Sequence, residues 1–84
     1  MKKVTIYSTR ICPYCVRAKN FFDKKDIPYE DIMVDQDPEQ LQTMMEKSQR
    51  QSVPQIFIGD YHVGGFDDLI EHDMDGKLED LLKD

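Results

Sequence analysis

Cys12 and Cys15 are the only cysteines in this chain of 84 residues, and they stand in the run Cys12-Pro13-Tyr14-Cys15. Two cysteines placed at random fall three apart in roughly one arrangement in forty, so the spacing carries information about chemistry. An apolar, strand-like stretch precedes the run and a helix-like one follows it, which puts Cys12 at a helix N-terminus. Pro13 suits the first helical position, because its missing N–H is one the helix could not have used. The remaining unpaired N–H groups and the positive end of the helix dipole then face the Cys12 sulfur, which stabilises a thiolate. Cys15 lies one turn in and shares a stripe with Ala18 and Phe22, so it is expected to be shielded and closer to an ordinary thiol. The pair reads as a redox dithiol in which Cys12 attacks and Cys15 resolves.

Other uses of two cysteines fit less well. A structural disulfide over so short a loop removes only about 2 kcal/mol of unfolded-state entropy on the chain-entropy model. A metal site needs about four ligands, and beyond the cysteines the residues of suitable type are His62 and His72, with no second closely spaced pair. No metal is therefore expected. Inert core cysteines would need neither the proline nor the helix start.

The length suits a single domain over residues 1–84, with 39% hydrophobic and 33% charged residues as in soluble globular proteins. No stretch approaches a membrane span, and Met1-Lys2-Lys3 leads into a mixed run without the apolar core of a signal peptide. The expected setting is the cytoplasm, where a CxxC pair is catalytic more often than structural. The net charge of -6 is unevenly distributed. Residues 1–25 hold seven Lys or Arg against Asp23 alone, and the remainder holds four bases against sixteen acids. A basic setting favours the thiolate and anionic thiol partners, while the overall acidity argues against nucleic acid.

The elements that must position the dithiol follow from periodicity and punctuation. Lys3 to Ser8 alternates as a strand, Pro13 to about Lys25 reads as a helix ended by Ile27-Pro28, and Tyr29 to Val34 resumes a strand with Ile32 and Val34 on one face. Asp37-Pro38 opens a helix reaching about Ser48, with Leu41, Met44 and Met45 on its apolar side. Gln55 to Ile58 and Tyr61 to Gly64 form a hairpin across Gly59-Asp60, on which His62 is expected to face solvent without a role. Asp67 and Asp68 open a further helix ended by Gly76, and a last helical piece carries Leu78, Leu81 and Leu82. The order β-α-β-α-β-β-α predicts an α/β fold, a mixed four-stranded sheet with helices on both faces.

A CxxC at the first strand-to-helix junction of such a chain resembles the thioredoxin-like folds. Cys12-Pro13-Tyr14-Cys15, then Ser52-Val53-Pro54-Gln55-Ile56-Phe57-Ile58, then Gly64-Gly65-Phe66-Asp67-Asp68-Leu69 resemble the three signature regions of dithiol glutaredoxins, in particular the short bacterial ones. The likeness covers essentially the whole chain. It implies a glutathione-dependent thiol–disulfide oxidoreductase that acts on protein disulfides and protein–glutathione mixed disulfides, with no tightly bound cofactor and glutathione as co-substrate. It further implies that Val53 pairs by its backbone with the cysteine of glutathione beside a cis Pro54. Asp67 and Asp68 would receive the γ-glutamyl end at a helix N-terminus, and Gly65 is a further candidate glutathione contact. Tyr14 and Arg50 would flank the glycyl end. Many relatives carry a lysine where this chain has Thr9, and Arg10 beside it is the candidate substitute for that charge.

The implied partners are glutathione and disulfide-containing or glutathionylated proteins, with ribonucleotide reductase, a sulfate-assimilation reductase and general deglutathionylation all compatible. No nucleic acid or membrane is expected, and the expected state is a monomer. Two further readings stay open at this level. One is a redoxin recharged by thioredoxin reductase, which would not need Asp67-Asp68. The other is an iron–sulfur carrier in which Cys12 of two chains and two glutathiones hold a cluster, which the rigid Pro13 and the second thiol disfavour.

Overall fold

In the computed structural model, which describes residues 1–83, the dithiol loop follows a central strand that is buried on both faces. Strand β1 (Val4–Ser8) runs into helix α1 (Pro13–Lys24), and strand β2 (Tyr29–Met33) returns parallel to β1, pairing Val4 with Tyr29 through Ser8 with Met33. A 3-10 turn at Val34–Gln36 leads to helix α2 (Pro38–Ser48). Strands β3 (Gln55–Ile58) and β4 (Tyr61–Gly64) form the hairpin, and helices α3 (Phe66–Met74) and α4 (Lys77–Leu82) complete the described chain. The sheet order is β2-β1-β3-β4, with β3 antiparallel to both neighbours. A helical crossover makes the first pair parallel and a two-residue turn makes the last pair antiparallel, so the mixed sheet predicted from element order is the one observed.

Strand alternation sorts the apolar residues into two layers. Val4, Ile6, Ile56, Ile58 and Val63 pack with Ala18 and Phe22 of α1, Leu69 of α3, and Leu78 and Leu82 of α4. On the other face Tyr7 and Phe57 pack with Val34 and with Met44 of α2. Each fully buried side chain of the size of Phe22 or Met44 contributes about 1.5–3 kcal/mol relative to exposure, which fixes helices to both faces.

Element ends differ slightly from the sequence expectation. α1 stops at Lys24, and Asp26 turns the chain with φ 57° before Pro28 is reached. β2 ends at Met33 because its partner β1 ends at Ser8, although Val34 stays buried on the face expected for it. α3 begins at Phe66, one residue before the aspartates, with Gly65 as its N-cap.

Candidate functional site

α1 begins as its sequence requires. Cys12 is the N-cap in extended backbone conformation, Pro13 takes the first turn, and the Cys12 sulfur accepts the Cys15 N–H at 3.1 Å. The two sulfurs are in disulfide contact, with Cα atoms 5.2 Å apart, inside the span that a disulfide bridges. Cys15 is fully buried with Ala18 and Phe22, and Cys12 is half-buried at the surface. That asymmetry is the one expected from the helical stripe. No acidic side chain occupies the first turn of α1 to oppose a thiolate.

Beside Cys12 runs the segment Ser52–Gln55, which follows α2. The Val53–Pro54 peptide is cis, and the Val53 carbonyl lies 3.8 Å from Cys12 Sγ. The approach to this segment is fixed from α2: Gln49 turns left-handed with φ 60°, and Ser48 Oγ donates to the Met44 carbonyl and accepts the Arg50 N–H. An open groove of about 300 Å³ is lined by Tyr14, Arg50, Val53, Pro54, Gly65, Asp67 and Asp68, together with Ser52 and Phe66. Seven of the eight residues expected to contact glutathione are thus brought together from three separate stretches of sequence.

Arg10 is the exception. Its backbone N–H and its guanidinium both bond Asp35 Oδ2, at 3.3 and 3.1 Å, and it is not among the groove residues. Side chains at a strand end alternate in direction, so a residue one place from Thr9 does not inherit its orientation. Burial pushes the Asp35 carboxyl up, but the Arg10 bonds outweigh this and hold it below the ordinary range.

At the far side of the groove, Asp68 accepts the Gly65 N–H at 2.9 Å and the Arg50 guanidinium at 3.1 Å. The Gly65 bond lowers the Asp68 carboxyl pKa most; burial opposes it, and the Arg50 guanidinium adds to the lowering. Arg50 and Asp68, assigned by resemblance to opposite ends of glutathione, are therefore ion-paired across the groove. Tyr14 stacks obliquely near Phe66 at 6.2 Å and carries the Arg17 guanidinium 5.1 Å above its ring.

The glycine that the backbone requires is Gly64, with φ 116°, where a Cβ would sit 2.7 Å from Asp68 Cγ. Gly65 lines the groove with φ -88°, and a Cβ there would meet only ordinary contacts.

Sequence reasoning passed over Ser52 and Phe66 as groove residues, and it misplaced His62. His62 is half-buried, stacked on Phe57 at 4.9 Å and bonded to Gln55 Oε1 at 2.7 Å. Burial and the nearby Arg50 depress its pKa. The available signal was Gln55 itself, a polar residue inside an apolar strand, which needs a partner once buried. Among the described residues no cluster of His, Cys, Asp and Glu could hold a metal ion, and no helix is long and apolar enough to cross a membrane.

Residues 4–63 match the family model described as Glutaredoxin. A glutaredoxin of Pseudomonas aeruginosa is 44% identical over 82 residues, covering 98% of each chain. Glutaredoxin 3 of Escherichia coli K12 is 41% identical over 83 residues, covering 99% of this chain and 100% of that protein. Among solved structures, the glutaredoxin of Brucella melitensis superposes with a TM-score of 0.85 at 46% identity, covering 99% of this chain and 90% of that one. A buckwheat glutaredoxin–glutathione complex superposes with a TM-score of 0.85 at 33% identity, covering 94% of this chain and 74% of that one.

Proposed function

The chain belongs to the glutaredoxin family and is a thiol–disulfide oxidoreductase, and on that premise we propose that it reduces protein–glutathione mixed disulfides and protein disulfides with glutathione as co-substrate. The observation that carries this reading is the groove of Tyr14, Arg50, Val53, Asp67 and Asp68, which opens beside the Cys12 sulfur between two helix N-termini. Its polar groups suit a small zwitterionic peptide. N–H groups at the start of α3 fit a carboxylate, the Asp67 carboxylate fits an ammonium, and Arg50 fits a second carboxylate.

In the monothiol route the Cys12 thiolate attacks the glutathione sulfur of a mixed disulfide. The protein leaves as its thiolate, and Cys12 is left joined to glutathione. A second glutathione thiolate attacks that sulfur, so glutathione disulfide departs and Cys12 returns as thiolate. In the dithiol route Cys12 first joins one sulfur of a protein disulfide. Cys15, having lost its proton, then attacks Cys12, which releases the protein dithiol and closes the Cys12–Cys15 disulfide. Two glutathiones reopen it. The 5.2 Å Cα separation and the disulfide contact support closure without rearrangement of the loop. The Val53 backbone, beside Cys12, would pair with the cysteine residue of glutathione.

A coupled assay comparing glutathione with thioredoxin reductase as electron source tests the reading, together with Cys15→Ser. Turnover with glutathione alone, and a Cys15→Ser variant that keeps deglutathionylation while losing reduction of protein disulfides, are the expected results. Turnover that depends on thioredoxin reductase would overturn it.

A further inference from the structure

Gln55 is a fully buried amide within a strand whose other residues are Ile56, Phe57 and Ile58. Its Nε2 donates to the Ser52 carbonyl at 2.9 Å and also lies 3.2 Å from Ser52 Oγ. Its Oε1 is 2.7 Å from His62 Nε2. Because Nε2 of the amide is committed to Ser52, Oε1 can only accept, so His62 must carry its proton on Nε2. His62 is held in turn by its stack on Phe57. The result is a continuous chain from β4, through β3, to the peptide group immediately before Val53.

That peptide group matters because of its planarity. The Ser52 C=O and the Val53 N–H belong to one trans plane and point in opposite directions. A carbonyl drawn inward by a buried amide therefore turns the Val53 N–H outward, on the side where Val53 lines the groove beside Cys12. We propose that Gln55 is a positioning residue that aims the Val53 N–H at the backbone of the bound glutathione moiety, and that His62 acts through Gln55 by locking its amide orientation.

This inference rests on the reading that Val53 pairs with glutathione. Replacing His62 by Leu leaves Gln55 Oε1 without its donor and frees the amide to turn, whereas Gln at position 62 keeps an N–H donor. The test measures KM and kcat for a glutathionylated peptide, alongside the rate at which iodoacetamide alkylates reduced Cys12, a reaction that makes no use of the Val53 N–H. His62→Leu should raise KM roughly three- to tenfold, the weight of one neutral hydrogen bond, with kcat and alkylation unchanged. His62→Gln should restore KM, and Gln55→Leu should raise it at least as much as His62→Leu. Should Gln55→Leu fail to fold, the two His62 variants decide alone. An unchanged KM in His62→Leu, or a fall in alkylation and kcat in parallel with KM, would overturn the proposal. If the wild-type protein itself shows no saturable turnover of the glutathionylated peptide, the underlying reading fails instead.

Discussion

At the residue scale, the electrostatics of the groove turn on which arginine reaches it. Arg10 is spent on Asp35, an exposed pair of the kind that contributes little, so Arg10→Ala should leave KM for a glutathionylated peptide unchanged. Arg50→Ala should raise KM several-fold, about 1 kcal/mol for a half-exposed charged contact, and the effect should shrink as salt rises. Steady-state kinetics at low and high salt would distinguish the two. Asp68 supplies a pH test. Its carboxyl pKa is lowered in the folded protein, so its contribution to stability is fully present above the ordinary value of 3.8 and is lost as pH falls through the lowered folded value. Asp68→Asn should therefore be less stable than wild type near neutrality, with the gap in Tm closing below about pH 4. A gap that persists at low pH would mean that the ionised carboxylate is not what holds Gly65 and Arg50.

At the element scale, the hairpin and α3 are joined by a single backbone requirement. Gly64 sits at φ 116°, and the space a Cβ would need is filled by the Asp68 side chain that caps α3. Gly64→Ala should cost about 1–3 kcal/mol by urea unfolding and should raise KM as well, since Asp68 would leave the Gly65 N–H. Gly65→Ala, at an extended φ with ordinary contacts, should be nearly neutral for stability. The two glycines are adjacent and chemically identical in the sequence. What separates them is the irregular pairing of β3 with β4, which fixes where the chain must turn.

At the scale of the whole molecule, folding cancels much of the charge separation that is visible along the chain. Of the seven basic residues in positions 1–25, Lys3, Arg10, Lys19 and Lys25 pair respectively with Glu30, Asp35, Asp31 and Asp73 of the acidic remainder. The basic third is thus not a free cationic face, and steering of an anionic substrate is expected to rest on Arg50 in the groove and on Arg17, which lies outside the groove lining with its guanidinium over the ring of the groove residue Tyr14. Lys25→Glu should leave kcat/KM and its salt dependence unchanged, whereas Arg17→Ala should lower both kcat/KM and its salt dependence. Stopped-flow rates at several ionic strengths would show this.

The sequence by itself determined the redox dithiol motif, the unequal burial of its two cysteines, the element order and the mixed sheet. These rest on local rules: proline at a helix start, period-2 and period-3.6 apolar patterns, and the geometry that a crossover or a tight turn imposes on its strands. The three groove stretches were legible through their likeness to known motifs. The tertiary structure alone decided that Arg10 turns to Asp35, that Arg50 meets Asp68 across the groove, that Gly64 rather than Gly65 is conformationally constrained, and that His62 is drawn inward onto Gln55. Each of these depends on a partner from 7 to 25 positions away or on backbone angles set by strand register. Side-chain hydrogen bonds and ion pairs of this kind are specified by where packed elements bring their ends together, and periodicity along the chain carries no record of that meeting.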